Sequence, residues 1–237
     1  MSQENNVETN RRSVAVYGLG TTSYSEVHAL QQRLQAQRRD GAGQDTLLLT
    51  EHRPVFTLGR SHPHPNLRVE ETTVRQWGID IVQSERGGDI TYHGPGQLVA
   101  YGIIDLKAWD LPILDYVRGL EDTVIRVVAD WGLRGERNDA GRGVWIGERK
   151  IASLGLNVRR WVTMHGIALN IDPDMSHWEL INPCGMPDTE MTSMATEVGR
   201  QVAFQDVLES FRFHFARVFE CEARSARVPG KDVSRGR

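Results

Sequence analysis

The chain has 237 residues, is 39% hydrophobic and 25% charged, and carries a formal net charge of −3. That is the balance of a soluble globular protein long enough to bury one sizeable core. No run approaches the ~20 apolar residues of a membrane-spanning helix, and the polar start MSQENNVETNRRS lacks the apolar stretch of a secretory signal. The slightly acidic balance gives no electrostatic case for nucleic-acid binding. Two cysteines, Cys184 and Cys221, make a poor disulfide framework and point to a reducing, cytoplasmic setting.

In chain order, residues 1–12 and 226–237 (ARVPGKDVSRGR) are rich in charge and poor in large apolar groups, and read as disordered tails. No repeat or long linker divides residues 13–225, so a single catalytic domain is the simplest organisation. A first helix starts near Thr22: Tyr24, Val27, Leu30 and Leu34 recur at helical spacing, Glu26 sits near the start and Gly41 follows the end. A second has Pro112 at its first position, an apolar stripe of Ile113, Val117, Leu120, Val124 and Val127/Val128, and Gly132 as its stop. A third spans 204–219, with Val207, Leu208, Phe211, Phe215 and Val218 facing inward. TLLLTEH, PVFTLG, IDIVQS and QLVAYGIIDL are short β-branched or aromatic runs broken by Gly and Pro, and read as strands. From Gly143 to Asp172 the chain reads as consecutive strands, GVWI, RKIASLGLNV and TMHGIALNI, joined by turns near Gly147 and Arg159. The whole predicts a mixed α/β (α+β) fold, with helices packed on a mixed sheet.

Three stretches carry chemistry. Arg86–Tyr101, RGGDITYHGPGQLVAY, holds four glycines and one proline within eleven residues, interleaved with Thr, Tyr and His. Glycine there lets a ligand approach the backbone closely. The segment is neither a dinucleotide fingerprint nor a P-loop, and composition alone is equally consistent with a Gly-rich hairpin loop. Cys184 lies in the turn Asn182-Pro183-Cys184-Gly185-Met186, where partial exposure would suit a nucleophile, although a lone cysteine is more often structural. Cys221, between two glutamates, reads as inert because nearby negative charge raises a thiol pKa. Lys150 opens the strand-like run RKIASLG, where a lysine is ordinarily a solvated edge residue. His62 and His64 lack partner ligands at metal-site spacing and read as surface loop.

Taken together and in order, HRPVFTLGRS (52–61), RGGDITYHGPGQLVAY (86–101), GVWIGERKIASLGLNV (143–158), HGIALNI (165–171) and INPCGM (181–186) resemble the lipoyl(octanoyl) transferase family, within the lipoate- and biotin-protein ligase superfamily. The likeness runs from Val14 to Phe219 without departure at the motif positions. It implies a ligase-like mixed α/β fold, with Cys184 as nucleophile and Lys150 as the residue that lowers its pKa. It places Arg86, Gly87, Gly88, Asp89, Ile90, Thr91, Tyr92 and His93 at the substrate site, with Ser153, Leu154, Gly155, Gly166, Ile167 and Ala168. The implied partners are octanoyl-acyl-carrier protein as donor, and as acceptors the lipoyl domains of 2-oxoacid dehydrogenase E2 subunits and the glycine-cleavage H protein. No membrane or nucleic-acid partner is implied.

The residue types suit that reaction. A free thiol has a pKa of ~8.5, and an ammonium within ~4–6 Å favours the thiolate without a histidine. Once the thiol is acylated, the lysine loses its charge partner and becomes a candidate base for the second step. Backbone N–H groups of the Gly-rich loop or near Gly185 are candidate oxyanion donors. Leu154, Ile167 and Ala168 are expected to line the alkyl slot. The donor is already an activated thioester, so neither cofactor nor metal is required. An ATP-dependent lipoate or biotin ligase on the same fold would need no nucleophilic cysteine. A silent carrier-protein or lipoyl-domain binding module would need neither the cysteine nor the lysine. No heptads or apolar patch stand out, so a monomer is expected.

Overall fold

The computed structural model describes residues 12–60, 66–186 and 188–226, and of Cys184 the backbone alone. The chain runs β1 (Arg12–Thr22), α1 (Tyr24–Arg39), β2 (Thr46–His52), β3 (Val55–Leu58), α2 (Glu71–Gln76), β4 (Asp80–Gln83), β5 (Ile90–His93) and β6 (Gln97–Ile103). It continues through α3 (Ile113–Asp130), β7 (Glu136–Asn138), β8 (Gly141–Ile146), β9 (Arg149–Arg159) and β10 (Val162–Asn170). Two short 3-10 turns follow, Met175–Leu180 and Pro183–Gly185, then α4 (Met194–Val198), α5 (Phe204–Val218) and β11 (Cys221–Ser225). One sheet has eight strands in the order β11-β1-β2-β6-β10-β9-β8-β7, and a second has three, β4-β3-β5. Within the large sheet β1 pairs parallel with both β2 and β11, while β2-β6-β10-β9-β8-β7 is antiparallel throughout. The mixed α/β expectation is met.

Strand alternation sends successive side chains to opposite faces of a sheet. Leu47, Leu49, Leu98, Ala100, Ile167 and Leu169 face α3 and α5, where they meet Leu120, Val124, Phe211 and Phe215 in the largest core cluster. Leu48, Val99, Tyr101 and Ala168, one residue out of phase, face α1 and join Val27 in a smaller cluster. The three-stranded sheet has its own core of Phe56, Ile90 and Tyr92 against Trp178 and Leu180.

The predicted helices form, with instructive differences. Ser23 and Glu26 close a reciprocal capping box at the start of α1. Its buried face, however, is Tyr24, Val27, Gln31 and Gln35, with Leu30 and Leu34 only half-buried. The two glutamines go inside to serve backbone groups: Gln35 donates to the Val162 carbonyl (3.0 Å) and Gln31 accepts from the His165 N–H (2.9 Å). Pro112 caps α3 from outside, and Ile113 is exposed where the predicted stripe put it inward. Leu208 and Val218 of α5 are half-buried.

The strands β1 and β11 fall outside the elements read from sequence. Arg12 lies in β1, and its guanidinium donates to the Trp109 carbonyl (2.6 Å). Ala226 donates its N–H to the Val16 carbonyl (2.8 Å). Both residues therefore belong to the folded body, and the rest of the two assigned tails lies outside the described residues, as do His62 and His64. Among the described residues no helix is long and apolar enough to cross a membrane.

Candidate active site

The Gly-rich segment leaves β4, crosses to the large sheet and returns as β5. It is not a simple hairpin loop, because β5 and β6 belong to different sheets. Arg86 anchors the crossing. Its Nε and Nη2 donate to the Thr57 hydroxyl (3.1 and 3.0 Å), Nη2 to the Thr57 carbonyl (2.6 Å) and Nη1 to the Gly87 carbonyl (3.1 Å). The Gly87 N–H donates to Leu156 of β9 (2.9 Å), and the Gly59 and Arg60 N–H groups donate to the Asp89 and Arg86 carbonyls. Gly88 sits at φ +87°, a conformation L side chains rarely adopt. Gly94 is required for another reason: a Cβ there would stand 1.9 Å from the Tyr92 hydroxyl.

Beneath this loop is a cavity between β6, β10 and β9 and the start of α1. Arg86, Gly87, Gly88, Thr91 and His93 border it from the loop side, and Ser153, Leu154, Gly155, Gly166, Ile167 and Ala168 from the sheet. The structure thus gathers most of the residues assigned to the substrate site. Three stand apart. On β5, Thr91 and His93 face the cavity, so Ile90 and Tyr92 point the other way, into the core of the small sheet. Tyr92 hydrogen-bonds His177 Nδ1 there (2.8 Å). Asp89 turns toward the Cys184 segment, where its Oδ2 accepts from Asn66 Nδ2.

The sheet side corrects the expected alkyl lining. Ile167 packs within the core on the α3–α5 face, and its β9 partner Leu154 packs against that core. Those residues give the cavity backbone, while its floor is Val99, Ala168, Ser153 and the flat tracts at Gly155 and Gly166. Tyr24, Tyr101 and His165 complete the wall and were not singled out from sequence. Helix and strand register brings Tyr24 and Tyr101 together, and a left-handed backbone at His165, which opens the HGIALNI signature, turns its ring to the same side.

The cavity is polar where it is most deeply buried. Burial pushes His52 down to about 4, and His93 and His165 down to about 3, so all three imidazoles are neutral at physiological pH. The His93 tautomer follows from its partners. Asn170 Nδ2 donates to the Thr192 carbonyl (2.9 Å), which leaves Asn170 Oδ1 to accept from Gln97 Nε2 (2.8 Å). Gln97 Nε2 also donates to the Tyr92 carbonyl (3.2 Å), so its Oε1 is the atom facing His93 Nδ1 (2.7 Å). Both amides are fixed by backbone carbonyls, which only accept, so Nδ1 of His93 carries the proton and Nε2 is an acceptor. His165 is 1% exposed at φ +64°, and neither ring nitrogen has a hydrogen-bond partner among the described residues. The hydroxyls of Thr91 and Ser153 are likewise buried without one.

Donor atoms of His28, Glu85 and His165 lie within 4.8 Å of one another, the one such cluster among the described residues that could hold a metal. His28 Nε2 and Glu85 Oε2 are 2.6 Å apart, a hydrogen bond. Two ligands of one tetrahedral ion stand about 3.3 Å apart. Burial opposes the charge of Glu85, but hydrogen bonds from Gln32 and His28 hold its carboxyl down to about 2. The arrangement fits a hydrogen-bonded cluster better than a metal site.

Lys150 is 1% exposed, not a solvated edge residue. The segment Glu190–Thr192 pairs alongside its strand: the Lys150 N–H donates to the Glu190 carbonyl (2.8 Å) and its carbonyl accepts from the Thr192 N–H (2.9 Å). Its Nζ lies 5.3 Å from the centre of the Trp145 ring. A Cβ built on Gly141 would be 3.7 Å from Lys150 Nζ and 3.4 Å from Met186 Cε, so the amine lies beside the residue two past Cys184. On its other flank the turn meets Asp89, whose Oδ2 would stand 2.8 Å from a Cβ at Gly185. The Asn182 N–H donates to the Asn66 carbonyl (2.8 Å) and ties the turn down. Two candidate oxyanion donors are already engaged, Gly185 N–H with the Asn182 carbonyl (3.0 Å) and Gly87 N–H with Leu156. The thiol of Cys221 is pushed up to about 11, by burial rather than by the flanking glutamates.

Residues 23–216 match the lipoyl protein ligase A/B catalytic domain. An octanoyltransferase of Syntrophobacter fumaroxidans is 43% identical over 218 residues, covering 92% of this chain and 96% of that protein. One of Solibacter usitatus is 43% identical over 223 residues, covering 94% and 99%. The chain belongs to the octanoyltransferase family. Its fold is shared with a bipartite lipoate protein ligase of an archaeal lipoylation system from Thermoplasma acidophilum, with a TM-score of 0.72 at 15% identity over 93% of this chain and 89% of that one. Acyl transfer within lipoylation, with an acyl donor and a lipoyl-domain acceptor, is the chemistry of this family.

Proposed function

We propose that the chain transfers an octanoyl group from octanoyl-acyl-carrier protein to a lysine of a lipoyl domain, through a thioester on Cys184. The observation that carries this reading is the burial of Lys150, whose amine lies near the Met186 side chain, two residues past Cys184. A buried ammonium at that place favours the thiolate. In the first step Sγ attacks the thioester carbon, the bond to the pantetheine sulfur breaks, and the departing thiolate takes the proton held on Lys150. Neutral Lys150 then accepts a proton from the attacking lysine amine, the C–S bond to Cys184 breaks, and an octanoyl amide leaves. The cavity under the Gly-rich loop is the acyl slot. The acceptors are lipoyl domains of 2-oxoacid dehydrogenase E2 subunits and the glycine-cleavage H protein, the setting is cytoplasmic, and the working unit is a monomer.

Incubation of the purified protein with octanoyl-acyl-carrier protein, without ATP, should add one octanoyl group on Cys184, read by intact and peptide mass. Addition of a lipoyl domain should discharge it. A requirement for ATP, or an acyl group on any other residue, would overturn the reading.

A further inference from the structure

We infer that Trp145 is a positioning residue for the acylation of Cys184: its indole face holds the Lys150 ammonium on the reactive side of the sheet. The inference rests on the Cys184–Lys150 reading above. It starts from the register of β8 and β9. Gly143 pairs with Ser153 and Val144 with Ala152, but Trp145 pairs with Lys150, so Ile151 is an extra residue on β9. The packing shows the consequence. Ile151, Ala152 and Leu154 all turn toward α3 and α5, although strict alternation would send Ile151 to the other side. Without the extra residue, Lys150 would follow Ala152 and Leu154 into that core. With it, Lys150 stands on the side of Ser153 and Gly155, directly opposite Trp145.

The lysine side chain then lies along one face of β8, which Gly141, Gly143 and Trp145 share by alternation. A Cβ on Gly143 would be 3.1 Å from Lys150 Cε and one on Gly141 3.7 Å from Nζ, so the glycines leave the stem its room. The amine comes to lie over the Trp145 ring, 5.3 Å from its centre. At that distance a desolvated cation is favoured by roughly 30-fold. The indole N–H is buried with no hydrogen-bond partner among the described residues, a cost that a phenyl or aliphatic side chain would avoid. The site therefore uses the face of the ring and not its polar edge. Charged groups on the neighbouring elements have partners of their own. Glu121 of α3 accepts from the Gly143 N–H (3.0 Å) and Arg137 Nε (2.9 Å), and Glu197 of α4 from Arg149 Nη2 (2.8 Å). Asp89 accepts from the Ile90 N–H (2.7 Å) and from Asn66 Nδ2, while Asp139, Arg142, Asp188 and Glu190 are exposed. A buried ammonium has lost its water, and the neutral pair of thiol and amine is the alternative to thiolate and ammonium. The ring tips that balance toward the charged pair, which is the one that attacks the donor thioester.

The test is the pH profile of Cys184 alkylation by iodoacetamide, read by peptide mass so that Cys221 is kept apart, with single-turnover acylation by octanoyl-acyl-carrier protein beside it. In the wild type the midpoint should lie below the ordinary thiol value of ~8.5. Trp145→Leu should raise the midpoint by about one pH unit and slow acylation about tenfold at neutral pH, with the alkylation rate at high pH unchanged. Trp145→Phe keeps a ring face and should stay within about threefold of wild type at neutral pH. Trp145→Met fills much of the same space without a ring, so it serves if Trp145→Leu fails to fold, and it should behave as Leu does. A midpoint unmoved in the folded Leu or Met variant, or moved as far by Phe as by Leu, would overturn the role of Trp145 while leaving the thiol–lysine pair intact. So would a fall in the high-pH rate with no movement of the midpoint, which marks a merely structural tryptophan. A wild-type midpoint at the ordinary thiol value would overturn the Cys184–Lys150 reading itself, and the role of Trp145 with it.

Discussion

The two faces of the large sheet are built from the same strands and differ in kind. The face under α3 and α5 is dry: Leu47, Leu49, Leu98, Leu169, Phe211 and Phe215 are each 1% exposed or less. The face under α1 shares its strands residue for residue, yet it carries Tyr101, a row of small residues at Gly155, Gly166 and Ala168, and His165 with neither nitrogen partnered among the described residues. The difference teaches where each property is held. Apolar burial on one face supplies the stability that lets the other keep buried polar atoms without local partners.

That division is most sharply tested at two residues chosen to fail in opposite ways. Cys184→Ser should abolish acyl-enzyme formation while leaving the thermal midpoint within a degree or two, since a hydroxyl is a far weaker nucleophile and the turn is held by backbone bonds. Phe215→Ala should cost about 3–5 kcal/mol of stability, measured by urea unfolding, yet leave the thiol's alkylation rate near wild type in the folded protein. Residual acylation in the first variant would remove the covalent mechanism. Loss of thiol reactivity in the second, at temperatures where it is folded, would show that the two faces are coupled.

Lys150→Arg separates two roles on the reactive side. Arginine keeps the charge that favours a thiolate but does not give up a proton readily. Acyl-enzyme should still form, and discharge to the lipoyl domain should slow by about tenfold or more. Normal discharge in single-turnover kinetics would mean Lys150 is not the base of the second step. Acidification should then distinguish the faces without mutation. His93 and His165 fall from about 6.5 unfolded to about 3 folded, so between those values the unfolded state binds more protons. Stability is therefore full above pH 6.5 and falls as pH is lowered toward 3. In His165→Leu the slope of urea midpoint against pH over that window should be shallower. An unchanged slope would mean that His165 does not titrate on unfolding.

Much of this was legible in the sequence, and the gaps have physical causes. The apolar stripes of α3 and α5 are visible because their burial is purely apolar. The stripe of α1 was misplaced because Gln31 and Gln35 are buried to satisfy backbone groups of β10, partners that no local pattern announces. The strand β11 escaped because CEARS is weakly apolar and finds order only by pairing in parallel with β1 across nearly the whole chain, whereas β1 carries a readable strand signal in its run SVAVY. Leu154 and Ile167 sit inside the right motifs, but strand alternation turns their side chains to the far face. Lys150 looked like an edge residue because the segment that pairs with its backbone arrives forty positions later, at Glu190.

The smallest expected effect concerns the second cysteine, and it tests whether thiol chemistry is confined to one side. Cys221 opens β11 and packs against the α3–α5 core. Burial pushes its thiol up to about 11, with the Arg12 guanidinium only partly opposing it, so almost none is thiolate at neutral pH. It should therefore be slow toward alkylating agents and should take up no octanoyl group. Cys221→Ser replaces a half-buried sulfur with a smaller, more polar oxygen, which should cost less than about 1.5 kcal/mol. Transfer activity should stay within about twofold of wild type. Were the variant to lose acyl transfer while still folded, the reactive side would depend on a residue packed against the dry core, and the separation of the two faces would have to be abandoned.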